Sequence, residues 1–156
     1  MTAARDRAVK IGFAIVALGI GTWIYFGVQR DSVTLPEEWR TDMEPALVEA
    51  KQQRRPVILL IDAPTGSQAA RQMAKITLSR KHNREAIRKG RYIPVTTTWS
   101  RKIGERFGVD STALPTTILL DPNAVEIRRH VGYIGETPFR KQFLILKDDV
   151  EIDGES

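Results

Sequence analysis

KIGERFGVDSTALPTTILLDP, residues 102–122, is the stretch on which the reading of this chain turns. Ser100 to Phe107 reads as a short helix, and Gly108 stops it. A loop then runs to Pro115, and Thr116–Leu120 is an apolar, β-branched strand. Asp121-Pro122-Asn123 has turn chemistry and leads into a second strand over Val125–Val131, so the stretch closes in a hairpin.

Toward the N-terminus, Val57–Ile61 (VILLI) is a continuous apolar run, as expected of a strand covered on both faces. A helix is predicted before it, beginning near Thr41. Thr41-Asp42-Met43-Glu44 has capping-box spacing, and Pro45 is tolerated only in a first turn. Met43, Ala46, Leu47 and Ala50 recur at helical spacing, and Pro56 ends the element. After the strand, Pro64-Thr65-Gly66-Ser67 is a turn whose serine can cap a helix carrying Ala69, Ala70, Met73 and Ala74. Lys81–Lys89 is a short, charged, exposed helix. Arg91–Thr98 (RYIPVTTT) is a strand, with Pro94 counting against it. Pro138–Lys147 is a closing helix. Residues 148–156 carry five acids and no base and read as a tail. Strands separated by helices predict parallel pairing, and the hairpin adds an antiparallel edge. The expected fold class is α/β, a three-layer sandwich around a small mixed sheet.

A length of 156 residues gives room for one domain and a short extra element. That element is IGFAIVALGIGTWIYFGV, residues 11–28, which carries no charge. As a helix it spans roughly 27 Å, close to the hydrocarbon thickness of a bilayer. Trp23, Tyr25 and Phe26 cluster at its end, where an interfacial belt belongs. It is long for the apolar core of a signal peptide, and no A-x-A-like site follows, so an uncleaved anchor is expected. Arg5, Arg7 and Lys10 precede it and several acids follow, which puts residues 1–10 in the cytoplasm and the rest outside. Ala17 and Gly21 form a small-xxx-small pair against which another helix could pack. Residues 29–40 read as a linker, 41–147 as the folded domain and 148–156 as the acidic tail.

The chemistry is restricted by what is missing. The chain has no cysteine, which excludes disulfides, thiolate metal sites and thiol catalysis. Ser67 at a helix start is a candidate nucleophile, but a serine needs a base beside it. The two histidines, His82 and His130, fall in a charged helix and near the far hairpin. They do not make a metal site either. The acids from Asp148 to Asp153 lack the glycine and terminal glutamate of a calcium loop. Gly104 and Gly108 belong to a helix and its stop, not to a phosphate loop. The net charge of +5 comes without any nucleic-acid-binding motif. It fits a mixed-charge surface, or a basic face for anionic lipid or an acidic partner. No catalytic residue, cofactor, metal or small-molecule substrate is expected.

Three segments together resemble the thioredoxin superfamily: AKQQRRPVILLIDA, KIGERFGVDSTALPTTILLDP and HVGYIGETPF. The chain is most similar to membrane-associated thioredoxin-like domains, such as the C-terminal domain of transmembrane thiol-disulfide interchange proteins. The resemblance covers residues 41–147. It implies that Pro115 is the family's cis-proline, facing the active-site turn. It also places Ser67-Gln68-Ala69-Ala70 over the family's Cys-x-x-Cys. The tryptophan usual before that motif is absent, and the family's buried proton-relay acid falls near Leu60, so it too is absent. The family's peptide groove would be lined here by Pro64, Thr65, Gly66, Ser67, Ala113, Leu114, Pro115 and Thr116. Strand addition to such a groove needs no cysteine.

These readings predict a redox-inactive, membrane-anchored accessory subunit. It would sit in a bacterial inner membrane, its domain docked on the periplasmic face of a larger membrane complex, such as a respiratory or photosynthetic assembly. The partners would be that complex, or its periplasmic subunits, and the lipid bilayer. The rival expectation is a membrane-tethered assembly factor or chaperone that holds extended peptides at the Pro115 groove.

Overall fold

The VILLI run becomes the centre of the sheet. In a computed structural model that describes residues 34–144, strand β1 (Val57–Asp62) is buried along its whole length. It lies between β2 (Ile93–Thr98) and β3 (Thr116–Leu120), and β4 (Glu126–Val131) forms the far edge, in the order β2-β1-β3-β4. Alternate side chains of β1 feed two cores. Val57, Leu59 and Ile61 pack with Ala46 and Ala50 of helix α1 (Met43–Gln53), and with Ile118 and Leu120. Ile58 and Leu60 pack on the other face with Met73, Leu78, Ile87, Phe139 and Phe143. Those residues come from α2 (Gln68–Gln72, continued as a π-helical turn over Met73–Leu78), α3 (Lys81–Lys89) and α5 (Glu136–Pro138, continued over Phe139–Phe143). Helix α4 (Arg101–Phe107) joins α1 on the first face. The result is the three-layer α/β sandwich read from the sequence.

Four local expectations are corrected. First, β3 runs antiparallel to β1, although a helix separates it from β2; only β1 and β2 are parallel. Helix α4 has seven residues, so it spans about 10 Å, roughly half the length of a six-residue strand. It cannot carry the chain back along the sheet, and the Pro115 loop turns it around instead. Second, the N-cap of α1 is Asp42 with no side-chain capping bond, not a Thr41 capping box. Pro45 occupies the third helical position and has no N–H to offer a cap. Third, the second strand starts at Ile93, because Arg91 adopts a left-handed conformation, φ 57°. Fourth, the closing helix starts at Glu136, and Leu144 has already left helical geometry.

Pro94 is accommodated by position. Ile93 donates its N–H toward β1, to Pro56 O, so Pro94 faces the outer edge. There Arg40 bridges to Val95: Arg40 N–H donates to Pro94 O at 3.0 Å, and Thr96 N–H donates to Arg40 O at 2.8 Å. Only edge strands tolerate a proline in this way. Arg40 belongs to the segment expected as a linker, and its neighbour Trp39 is buried in the core. Buried polar groups tie the second face together: Thr77 Oγ1 donates to Ile134 O and Asn83 Nδ2 to Thr77 O.

The expected anchor at 11–28, with Ala17 and Gly21, and the tail at 148–156 lie outside the described residues. Among the described residues, no helix is long and apolar enough to cross a membrane.

Candidate functional site

Two loops meet where β1 ends and β3 begins, since the last pair of that ladder is Ile61 with Thr116. On the β1 side the chain turns through Gly66, whose φ of 72° suits glycine. Gly66 N–H donates to Ala63 O at 2.9 Å. Ser67 is then the N-cap of α2, as read from the sequence: its Oγ accepts the Ala70 N–H at 3.0 Å. Ala70 itself has no exposed surface.

The Ser67 N–H is taken by Asp62, whose two carboxylate oxygens each lie 3.2 Å away. Asp62 is buried, with 8% of its surface exposed. Sequence reasoning missed this residue. It looked for an acid near Leu60, which is a buried core leucine. The available signal was an acid closing an apolar strand immediately before a turn, where loop N–H groups converge. Asp62 serves the backbone of the turn and faces no thiol, since the chain has none.

On the β3 side, Gly108 takes a left-handed conformation and caps α4. Gly104 stands where a Cβ would come within 2.8 Å of the Trp99 ring nitrogen. That closeness lets Trp99 Nε1–H donate to Val109 O at 2.9 Å. Asp110 accepts from the N–H and hydroxyl of Thr112, at 2.8 and 2.7 Å, and these bonds hold its carboxyl below the ordinary range. Ala113 N–H returns to Asp110 O, and Thr116 Oγ1 donates to Ala113 O. The Leu114–Pro115 peptide is cis, as the resemblance implied. Pro115 O accepts the Gly132 N–H at 2.7 Å, which joins the loop to the end of β4.

The eight residues expected to line a groove therefore fall on two loops, and on Thr116 at the start of β3, at one end of the sheet. Pro64 and Thr65 are exposed, Gly66, Ser67, Ala113 and Leu114 are half-buried, and Pro115 and Thr116 are buried. Among the described residues, no hydrogen bond engages the backbone N–H or C=O of Leu114. Neither histidine offers Ser67 a base: His82 is exposed on α3, and the His130 ring pairs with Tyr133 O. No group of three potential metal ligands occurs among the described residues.

A concavity of about 860 Å³ lies elsewhere, beside β2 and α3. Several of its charged side chains are paired. Arg84 pairs with Glu38 at 2.6 Å, Lys81 lies 3.9 Å from Glu85, and Arg40 pairs with Glu49.

No family model matches the chain, and no curated protein does. Solved structures do. The oxidised C-terminal domain of DsbD from Neisseria meningitidis superposes with a TM-score of 0.56 at 15% identity, covering 67% of this chain and 96% of that one. A DsbH oxidoreductase gives 0.53 at 13% identity, covering 71% and 84%. A thioredoxin from Thermus thermophilus gives 0.51 at 21% identity, covering 65% and 79%. The domain has the thioredoxin fold. It is a thioredoxin-fold domain without the Cys-x-x-Cys pair, and thiolate attack on a disulfide is closed to it. The missing thiols fit a redox-inactive domain.

Proposed function

We propose that this chain is a non-catalytic, membrane-anchored accessory subunit. Its thioredoxin-like domain docks on the periplasmic face of a larger complex in a bacterial inner membrane, a respiratory or photosynthetic assembly being one setting. One observation carries the reading: the turn at Ser67 is built as a structural joint. Asp62 holds its backbone, Ser67 caps the helix, and a buried alanine stands three residues on. A scaffold kept intact while its reactive groups are replaced by capping and packing groups suits a binding role. The uncharged run at residues 11–28 supports the anchor, and the basic residues before it support the orientation. Gentle detergent extraction from native membranes followed by co-purification tests this. A stoichiometric membrane-protein partner is expected; a lone monomer would sink the reading.

A second reading, a tethered assembly factor or chaperone, is favoured by one feature. The free backbone groups of Leu114, beside a half-buried apolar side chain, could accept an extended peptide. It predicts substoichiometric, exchangeable clients at the Ser67 and Leu114 loops.

A further inference from the structure

The opposite end of the sheet, where β1 and β2 begin, carries a concentration of positive charge. Lys51 and Arg54 stand at the end of α1, Arg55 follows, and Arg88, Lys89 and Arg91 stand at and beyond the end of α3. Arg55 joins the two segments: its Nε donates to Arg91 O at 2.7 Å and its Nη2 to Tyr92 O at 3.2 Å. The other five side chains are exposed and have no acidic partner among the described residues. Residues 50–61 and 86–104 contain no aspartate or glutamate. Neighbouring acids are engaged elsewhere: Glu49 pairs with Arg40 and Arg55, Glu85, one turn before Arg88 and Lys89 on α3, lies 3.9 Å from Lys81, and Asp121 accepts the N–H groups of Asn123 and Val125.

Helix C-termini attract cations, which accounts for part of this cluster. It does not account for the backbone. Arg54 and Arg91 have φ of 51° and 57°, left-handed conformations that glycine adopts freely and a side chain resists. Arg54 is the cap residue of α1, the place where glycine is commonest. At both positions the chain retains an exposed arginine against the conformational preference, and both arginines are on this rim.

We propose that this basic rim is a contact surface for anionic lipid headgroups. The cations stand on the last turns of α1 and α3 and just beyond them, and of the six only Arg55 and Arg88 line the neighbouring cleft. A spread of like charges outside a pocket suits a diffuse negative surface better than one discrete anion. No exposed aromatic lies in either segment to stack a nucleobase, since Tyr92 is buried and Trp99 half-buried. Basic residues close to an anionic bilayer attract it cumulatively and within a screening length. The inference does not rest on the anchor.

The test uses the full chain, whose lack of cysteine allows one label at Gln52→Cys, beside the rim. Vesicles of phosphatidylcholine alone, or mixed equally with phosphatidylglycerol, carry a headgroup quencher. Quenching is expected only in the anionic vesicles, and salt should abolish it. Arg54→Gly with Arg91→Gly should weaken the rim–headgroup contact that this label reads about 25-fold, at about fivefold per cation. The melting temperature of that variant should not fall, because glycine suits both backbones. Arg88→Gln with Lys89→Gln should weaken it similarly without touching a strained residue. Equal quenching in neutral and anionic vesicles, or unchanged quenching in both variants, would overturn the proposal. Flotation with neutral vesicles at high salt reads the anchor separately, so the two ideas fail independently.

Discussion

The two ends of this sheet have been treated oppositely. At the end where β1 stops, polar groups are paired within the turns: Asp62 with the Ser67 N–H, Ser67 with Ala70, Asp110 with Thr112. At the end where β1 starts, five cations stand exposed without acidic partners among the described residues, two of them on unfavourable backbone. In the reading proposed above, the first end serves as a joint. The difference sets a turn whose backbone groups are satisfied locally against a rim whose charges are left unpaired among the described residues.

Substitutions can break or sharpen this contrast. The largest effect is expected at Asp62. Asp62→Ala leaves the Ser67 N–H without its acceptor and should cost about 2 kcal/mol in denaturant unfolding, with Asp62→Asn recovering most of it. A gain in stability would mark Asp62 as an acid retained for chemistry, and the first end would no longer be merely structural. Ser67→Ala should cost about 1 kcal/mol, and Ser67→Asp should restore it, as expected of a cap. If Ser67→Ala instead abolished some measurable activity at unchanged stability, the joint would have to be read as a site.

The smallest effect concerns Glu49, which neutralises one side of the basic rim. The hydrogen bond from Arg40, and the charges of Arg40 and Arg55, hold its carboxyl below the ordinary glutamate value of 4.5. A depressed folded-state value means the contribution is present above 4.5 and lost as pH falls below it. Glu49→Gln should lower stability by less than about 1 kcal/mol at neutral pH, and the difference should vanish in acid. The same variant should bind anionic vesicles more tightly. Glu38 follows the same sign: burial works to raise its carboxyl, but the hydrogen bond and charge of Arg84 outweigh this.

Most of the fold was legible because its signals are local. The VILLI run gave a doubly covered strand, Ser67 a cap, and Gly108 a helix stop, each from its own residue chemistry. What escaped depends on pairing across the chain. The direction of β3 follows from the length of α4 set against the sheet, and Pro94 is harmless only because Arg40 lies outside it. Asp62 escaped because its partner is a backbone N–H created by the turn. The basic rim escaped because Arg54 and Arg91 lie 37 positions apart, and Arg55 brings them together only in the folded sheet.

The central claim is that the Ser67–Pro115 end is a joint and not a binding groove for clients. Photocrosslinkers placed at Thr65 and Leu114 of the full chain in native membranes test it most directly. Few or no crosslinks to exchangeable clients are expected from either position, alongside a stoichiometric partner that co-purifies. Abundant crosslinks from both positions to many substoichiometric proteins would contradict it.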